Sequence, residues 1–499
     1  MKLELFPEDI RGSILPAPGG DLRYDCLKCG GSFPPDALHY VCPSCGGLLL
    51  LEDHAEDRLL SRDGTWWRKL FDYRLMSNVQ ALRGVFCYHE FLAPIIPLED
   101  VVFLGEAHTP AVKAPPALER EVGVPFHVKL DGLNPSASFK DRGMAAALSF
   151  VKYLARTQGK SGVMAVCAST GDTSAAAALY SASLGGIVKA AVLLPKGYVT
   201  PQQLSQPLGA GAGVFELPGV FDDCMKVVEK LSEDYEVVLL NSKNPWRVLG
   251  QESYAFEVCQ QFDWEAGDLM LFVPVGNAGN ITAILGGLMK LHRAGVIARL
   301  PRVTAVQSEC ANPVFNYYHA GPSERAYAPV KVRPSVAQAA MIGDPVSFPR
   351  LARLAARYEE VRGPDAFQAV EVTEQEIMDS MILANRSGLT VCTQGGESLA
   401  GLRAALRAGL VAPGETAVLD STAHALKFME FQNAYFRGEL ADGYGVVSRP
   451  ENVNAPRSVE LEGIALPAQG KALSPEESRI FTETAAKGIA SALGLSSKA

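Results

Sequence analysis

The sequence lacks any segment typical of a membrane span or of a secretion signal. Its first residues, MKLELFPEDIRG, do not contain the long apolar run that follows a basic start in signal peptides. The uncharged run between Asp172 and Lys189 is interrupted by serine, threonine and a glycine pair, which makes it a poor bilayer segment. These absences predict a cytoplasmic protein that does not act at a membrane.

Positive charge is also scarce. The chain has 46 lysines and arginines against 55 aspartates and glutamates, which gives a formal net charge of −9 at pH 7. Nucleic acids and anionic membranes are bound through extended basic surfaces. The balance therefore argues against both as main partners, while a small basic pocket for an anionic substrate stays compatible with it.

The sequence shows no internal repeat and no low-complexity tract, and from about residue 100 it alternates apolar runs with helical patterns. Near-continuous apolar runs are typical of strands buried on both faces, and their alternation with helices predicts parallel α/β sheets. The predicted strands are 126–130, 163–167, 188–194, 214–217, 237–240, 269–275, 302–307 and 416–420. The predicted helices include 139–156, 172–184, 221–233, 278–294 and 475–492.

Two cysteine pairs near the N-terminus predict a structural metal site. Cys26 and Cys29 form one CxxC pair, Cys42 and Cys45 form the other, and each pair is followed by glycine. Four thiolates at this spacing are typical of a zinc ribbon, in which a closed tetrahedral site holds Zn²⁺. The other six cysteines are scattered and are predicted to be buried, unpaired side chains; they are Cys87, Cys167, Cys224, Cys259, Cys310 and Cys392.

Four segments place small or polar residues where a predicted strand gives way to a helix, which is where α/β folds build ligand sites. In LNPSASFKDRGM (133–144), Lys140 lies in the first helical turn, where the helix dipole favours the neutral amine that Schiff-base chemistry needs. CASTGDTSAA (167–176) could hold a carboxylate at a helix start, and PVGNAGNIT (274–282) could hold a phosphate. VLDSTAHALKF (418–428) offers Thr422 to a heterocycle nitrogen, with His424 expected to be structural.

Each of these segments alone also fits an ordinary capped helix or tight turn. Together they supply what pyridoxal phosphate requires, namely an amine, a phosphate anchor, a pyridine partner and a grip on a substrate carboxylate. A fifth segment, NSKNPWR (241–247), combines an arginine with neutral donors and suits a second phosphate dianion.

The ordered motifs SFKDRG, ASTGDTSA, PVGNAGN and STAHALK resemble the fold-type II pyridoxal-phosphate enzymes. Within that class, GNAGN, LGEAHTP (104–110) and STAHALKF are similar to the threonine synthases. The resemblance runs from about Leu104 to Lys427 and implies two parallel-sheet domains of the tryptophan synthase β-like kind, with the cofactor between them. Similar Cys₄ ribbons precede the catalytic part in some threonine synthases.

The resemblance also implies a role for each motif residue. Lys140 would bind the cofactor as a Schiff base, Asp172 would lie beside the cofactor's 3′-oxygen, and Thr422 would bond the pyridine nitrogen. The residues implied to bind the cofactor phosphate are Gly276, Asn277, Ala278, Gly279 and Asn280. Those implied to hold the substrate carboxylate are Ser169, Thr170 and Thr173, and those implied to hold the substrate phosphate are Asn241, Ser242 and Arg247.

The sequence departs from the commonest family pattern in two places. Asp172 stands where many members carry asparagine, and a carboxylate beside the 3′-oxygen needs a proton or a different geometry. The segment CTQGGESLAGL (392–402) also differs, and we assign Glu397 no role beyond helix capping.

The implied activity is conversion of O-phospho-L-homoserine and water to L-threonine and phosphate. A cysteate synthase acting on phosphoserine and sulfite remains an alternative, as does a ribbon-bearing regulatory or nucleic-acid-binding protein with an inactive domain. The oligomeric state is open, with a homodimer as one alternative. The predicted organisation is a ribbon at 1–50, a helical connector at 51–100, a large domain at 101–139 and 246–470, a small domain at 140–245 and a helical tail at 471–499.

Overall fold

The computed structural model describes residues 3–169, 171–196, 201–219, 221–321, 323–459, 461 and 472–496. The chain forms two compact units. The first consists of Met1–Phe431 and Ala441–Val446, and the second of Gln432–Leu440 and Val447–Ala499. All three sheets, and every predicted site residue that the structure describes, lie in the first unit.

The described residues form strands β1–β13 and α-helices α1–α17, joined by loops and short 3₁₀ turns. The strands are β1 (Leu22–Cys26), β2 (Ser32–Phe33), β3 (Leu49–Asp53), β4 (Ala111–Lys113), β5 (Phe126–Lys129), β6 (Val163–Ala168), β7 (Val188–Pro195), β8 (Gly213–Leu217), β9 (Val237–Leu239), β10 (Leu269–Pro274), β11 (Arg302–Ser308), β12 (Phe367–Val372) and β13 (Thr416–Asp420). The helices are α1 (Glu8–Arg11), α2 (Gly64–Leu75), α3 (His89–Leu92), α4 (Pro116–Val122), α5 (Lys140–Thr157), α6 (Asp172–Ala182), α7 (Pro201–Gly209), α8 (Phe221–Asp234), α9 (Pro245–Gln251), α10 (Ser253–Gln261), α11 (Gly279–Arg293), α12 (Pro313–His319), α13 (Phe348–Arg362), α14 (Glu374–Arg386), α15 (Thr393–Arg407), α16 (Met429–Arg437) and α17 (Pro475–Leu493).

The strands form three sheets. A small antiparallel sheet has the order β2-β1-β3 and carries the N-terminal cysteines. A six-stranded sheet has the order β12-β11-β10-β13-β5-β4, and all its neighbours are parallel except the edge pair β4 and β5. A four-stranded parallel sheet has the order β8-β7-β6-β9.

The predicted α/β class is confirmed, and so are the predicted strands to within a residue or so. Every residue of β10 and of β11 is buried, as expected of central parallel strands covered by helices on both faces. The sequence prediction missed β12, which lies at the edge of the sheet and in which three of six residues are only partly buried. The two parallel sheets fall on opposite sides of the predicted boundaries at 139/140 and 245/246, although both belong to the first compact unit, so those boundaries stay a prediction.

The fold brings the polar motifs to the carboxyl ends of parallel strands. Residues 276–280 follow β10, Thr422 follows β13, Ser169 follows β6, and residues 241–247 follow β9. Because parallel strands end at a common edge, residues that follow neighbouring strands lie close together. Lys140 begins α5, the first α-helix after β5 in the chain.

The second unit contains α17, which matches the predicted helix at 475–492. Ser474 caps this helix through a reciprocal bond pattern with Glu477, and none of its residues is buried. None of the helices in the described ranges is both long and apolar enough to traverse a bilayer.

Candidate active site

The predicted cofactor residues line one cavity of the first unit. Its lining includes Lys140, Asp172, Ser242, Arg247, Gln251, Gly276, Asn277, Ala278, Gly279, Asn280, Gln394 and Thr422. An amine, a glycine-rich turn, a hydroxyl and a buried arginine therefore share one enclosed space, although their motifs are far apart in the sequence.

Lys140 is the first residue of α5, so its side chain lies at the positive end of the helix dipole. Desolvation by the cavity walls, aided by the positive charge of Arg247, lowers the pKa of Lys140 to about 7. Its Nζ lies 3.9 Å from the ring centroid of Phe139, the residue before it. The amine is therefore neutral in a large fraction of molecules near neutral pH, which is the state that a Schiff-base lysine needs.

The turn between β10 and α11 forms a nest for an anion. Ala278 adopts a left-handed conformation with φ of 60°, and α11 begins at the next residue with its first backbone N–H groups free of intrahelical acceptors. A Cβ on Gly276 would lie 3.1 Å from Ala340 Cα, so only glycine fits without a shift. The side chain of Asn280 donates to Asp420 at 2.8 Å, so it contributes its backbone rather than its amide group to the nest.

Thr422 is held beside the lysine by backbone pairing. Phe139 N donates to Thr422 O at 2.9 Å, and His424 N donates to Ala137 O at 3.0 Å. The segment after β13 therefore runs against the start of α5, which fixes Thr422 next to Lys140. His424 caps the following 3₁₀ turn through Nδ1, in agreement with its predicted structural role.

The turn before α6 contains the predicted carboxylate site. Ser169 Oγ accepts from Gly171 N at 3.2 Å, and Thr173 lies in the first turn of the helix. Thr170 lies outside the described residues. Of this turn, Asp172 is the residue that lines the cavity. The substrate role of Ser169, Thr170 and Thr173 stays a prediction.

Two of the three residues predicted to bind the substrate phosphate, all in the segment after β9, line the cavity. Ser242 and Arg247 line the cavity, whereas the amide of Asn241 both donates to Ala168 O at 2.7 Å and accepts from Ala168 N at 3.1 Å. Asn241 thus joins the ends of β9 and β6, and its predicted contact with the substrate phosphate stays untested.

Arg247 is buried and has no carboxylate partner among the described residues. Its Nη1 donates to Leu240 O at 3.0 Å, while its buried Nε has no acceptor in the part of the chain that the structure describes. Desolvation lowers the pKa of its guanidinium to about 10. A buried cation with a free donor in a cavity calls for an anionic ligand.

Sequence reasoning missed two side chains of this site. Lys427 Nζ donates to Asp172 Oδ1 at 3.0 Å, and both side chains are largely buried. Gln394 lines the cavity, and both of its amide atoms are buried without a partner among the described residues. Both residues lie in motifs that the sequence singles out, STAHALKF and CTQGGESLAGL, but nothing in one sequence tells where a lysine or glutamine side chain will point.

The prediction that Glu397 caps a helix is wrong. The cap of α15 is Cys392, whose sulfur accepts from Gly395 N at 3.3 Å. Glu397 is fully buried within that helix, and burial near Glu374 raises the pKa of its carboxyl well above the usual range.

These residues fit pyridoxal phosphate. Lys140 supplies the amine, the Gly276–Asn280 turn supplies backbone donors for the phosphate, and Thr422 supplies a hydroxyl for the pyridine nitrogen. The tight space at Gly276 and the unpartnered Nε of Arg247, judged over the described residues, are features that ligand binding explains, because a packed protein core would fill or satisfy them.

The four N-terminal cysteines converge as predicted. Their sulfur atoms all lie within 4.8 Å of one another, with Cys26 and Cys45 at 3.5 Å and Cys29 and Cys42 at 3.7 Å. Four sulfurs placed about 2.3 Å from one zinc ion in a tetrahedron lie about 3.8 Å apart. The glycines after each pair, Gly30 and Gly46, have φ of 71° and 68° and close the two knuckles. The other six cysteines are buried and unpaired, which confirms that prediction.

Comparison with known proteins agrees with this site. The sequence pattern of the family described as pyridoxal-phosphate dependent enzyme matches residues 102–422. Threonine synthase from Methanocaldococcus jannaschii is 36% identical over 406 residues, which cover 81% of this chain and 92% of that protein. Threonine synthase 2 of Arabidopsis thaliana chloroplasts is 34% identical over 406 residues, covering 81% of this chain and 76% of that protein.

Among solved structures, threonine synthase from Escherichia coli has the same fold, with a TM-score of 0.62 and 23% identity over 82% of this chain and 90% of that one. The family match spans every described cofactor residue of the cavity, from Lys140 to Thr422. The chain therefore belongs to the pyridoxal-phosphate-dependent enzymes and, within them, to the threonine synthase family.

Proposed function

We propose that this chain converts O-phospho-L-homoserine and water to L-threonine and phosphate. The observation that carries the proposal is one cavity lined both by a lysine of lowered pKa and by two separate groups of donors that suit a phosphate. One is the backbone nest at 276–280, and the other is the buried Arg247 with Ser242. A cofactor phosphate and a substrate phosphate would each need one of these sites.

The reaction removes one proton from Cα and one from Cβ and expels phosphate from Cγ. It then adds a proton at Cγ and the hydroxyl group of water at Cβ, and it returns a proton to Cα. When bound, pyridoxal phosphate withdraws electrons from Cα and so lowers the free energy needed to remove its proton. Lys140 Nζ is the base that we assign to this proton, because its lowered pKa allows it to accept a proton near neutral pH.

The remaining side chains bind and orient. Arg247 and Ser242 would hold the substrate phosphate through charge-assisted bonds, each contributing roughly 1.5–3 kcal/mol. Thr422 would offer a neutral hydroxyl to the pyridine nitrogen, which leaves that nitrogen mainly unprotonated and the cofactor a weaker electron acceptor than a carboxylate partner would make it. Ser169, Thr170 and Thr173 would hold the substrate carboxylate at the start of α6.

We also propose that Cys26, Cys29, Cys42 and Cys45 hold one structural Zn²⁺. Their sulfur spacing supports a closed tetrahedral site. Metal analysis of the purified protein should find one zinc per chain, and replacing Cys42 with serine should reduce that content.

The unpaired state of all ten cysteines supports a reducing compartment, and we propose that the enzyme works in the cytoplasm.

The test is a product assay on purified, cofactor-loaded protein. O-phosphohomoserine should yield threonine and phosphate in equal amounts, and the Lys140→Ala variant should yield neither. Phosphoserine with sulfite is the comparison, since cysteate as the main product would replace the proposal with a cysteate synthase. No phosphate release from either substrate would contradict both activities.

A further inference from the structure

The cysteine-bearing sheet contacts the segment that carries the substrate-phosphate residues. We define the phosphate segment as residues 239–247, which runs from the end of β9 into α9 and contains Ser242 and Arg247. Three contacts join it to the ribbon, which we define as residues 22–53. Each contact involves a residue close to a cysteine in sequence or in register.

The first contact is made by Tyr24, two residues before Cys26. Its hydroxyl accepts from Trp246 Nε1 at 2.7 Å, and both side chains are fully buried. Trp246 directly precedes Arg247 and stacks on Phe150 with ring centroids 3.9 Å apart. The rotation of the first turn of α9 is therefore fixed by one hydrogen bond to the ribbon and by one stacked ring from α5.

The second contact repeats the first at the other knuckle. Tyr40 stands two residues before Cys42, and its hydroxyl accepts from Leu239 N at 2.8 Å. Leu239 is the last residue of β9, so its backbone donor marks the start of the phosphate segment. Each cysteine knuckle thus carries a tyrosine, at the same offset, that binds one end of the segment.

The third contact passes through Arg350 of α13, which is fully buried. Its Nε donates to Leu49 O at 2.8 Å, and Leu49 is the register partner of Cys26 in the ribbon sheet. Its guanidinium also donates to Ser242 O at 3.3 Å and to Lys243 O at 3.0 Å. Arg350 therefore connects the backbone opposite Cys26 to the backbone at Ser242.

We propose that the ribbon, held in shape by its metal, positions the phosphate segment, and that Tyr24, Tyr40 and Arg350 are positioning residues for the substrate phosphate. Metal loading at the cysteines then sets the affinity for the phosphorylated substrate without touching it. This inference rests on the proposed function, since it assigns Ser242 and Arg247 to the substrate phosphate.

The test compares Tyr24→Phe and Tyr40→Phe with a matched control, Tyr358→Phe. Tyr358 is also fully buried and bonds a backbone atom, Pro301 O, at 2.8 Å, but it belongs to the far end of α13 and has no bond to the phosphate segment within the described residues. In metal-loaded holoenzyme we expect each ribbon variant to raise KM for O-phosphohomoserine roughly tenfold, the equivalent of one lost hydrogen bond, with kcat within about twofold of wild type. The control should leave KM unchanged.

A second measurement reads the segment directly. Hydrogen exchange of the peptide 239–247 should accelerate in both ribbon variants and after chelation of the metal. In the two ribbon variants, exchange of the peptide 274–282 and the cofactor absorbance should not change. An equal KM in all three variants, or unchanged exchange at 239–247, would overturn the positioning role. If wild-type protein does not turn over O-phosphohomoserine, the proposed function fails instead, and the exchange comparison still decides whether the ribbon orders this segment.

Discussion

At the scale of single residues, the chemistry depends on how two charged side chains are neutralised. Lys140 loses its positive charge because it sits at a helix start in a poorly solvated cavity beside another cation. Asp172 is paired in the same cavity with Lys427, whose Nζ donates to the Oδ1 of its carboxyl group at 3.0 Å. The first arrangement makes a nucleophile, and the second gives the buried Asp172 side chain a partner of opposite charge.

The lowered pKa of Lys140 predicts how the apoenzyme takes up its cofactor. Below pH 7 the ammonium form dominates and cannot attack the cofactor aldehyde, and above pH 7 the neutral amine dominates. The rate of reconstitution with pyridoxal phosphate should therefore rise with pH through about 7 and level off well below the pKa of an ordinary lysine. Stopped-flow absorbance, recorded over about two pH units on either side of pH 7, measures this rate of reconstitution. A rate that kept rising toward the pKa of an ordinary lysine would contradict the assignment.

Lys427 should matter because it compensates Asp172. Lys427→Met leaves a buried carboxylate unpaired next to the cofactor, and we expect kcat/KM to fall about 10- to 100-fold, the loss of one charge-assisted bond. The matched control is the double variant Asp172→Asn, Lys427→Met, in which the neutral amide no longer needs a cation. Activity should recover in the double variant, so a double variant as slow as the single one would show that Lys427 has a different role.

At the scale of strands and helices, the sequence allowed prediction wherever burial is complete. The apolar runs of β10 and β11 and the polar residues at their carboxyl ends have a pattern that one sequence shows directly. The edge strand β12 was missed because its sequence, FQAVEV, is neither a continuous apolar run nor a strict alternation of polar and apolar residues. The positions of motif residues at strand ends could thus be predicted, whereas the partners of individual side chains could not.

A buried charge network beneath Lys140 shows this limit. Arg142 donates to Asp131 at 2.7 Å and to Glu257 at 2.8 Å, and Lys129 also donates to Glu257 at 2.8 Å. All four side chains are fully buried and come from four separate elements, so no local pattern reveals them. They join the start of α5 to α10 and to the end of β5, and so they hold the reactive lysine's helix in place.

Removing the centre of this network should destabilise the fold. Arg142→Met leaves the buried carboxylates of Asp131 and Glu257 without their main partner, and we expect the free energy of unfolding to fall by about 3–5 kcal/mol. Denaturant unfolding followed by circular dichroism measures it. Arg299→Met, which breaks an exposed pair with Asp268, is the control and should change stability by less than about 1 kcal/mol. Equal effects in both variants would show that the buried network contributes no more than a surface pair.

At the scale of the whole molecule, the ribbon and the catalytic part share one hydrophobic core. Tyr24, Leu22 and Leu49 of the ribbon sheet belong to the same buried cluster as Trp246 and Ala278. Because these side chains pack against one another, loosening the ribbon exposes apolar surface of the catalytic part as well.

Metal removal should therefore destabilise the entire compact unit rather than the ribbon alone. A structural zinc site supplies on the order of 10 kcal/mol of binding free energy, so chelation should lower the midpoint of the main thermal transition and addition of Zn²⁺ should restore it. Differential scanning calorimetry of holoenzyme with and without chelator measures it. A separate low-temperature transition, with the main one unmoved, would show instead that the ribbon unfolds independently.

The hydroxyl groups of Tyr24 and Tyr40 have a consequence for protein engineering. A shortened chain that begins after residue 53 would leave Trp246 Nε1, Leu239 N and one donor of Arg350 facing water or nothing, although no cofactor residue would be missing. We expect such a protein to bind pyridoxal phosphate, with the absorbance of the bound cofactor, but to have a low affinity for its phosphorylated amino acid. A design that grafts the catalytic part onto another scaffold should therefore keep the N-terminal ribbon, which supports the substrate pocket from outside its lining.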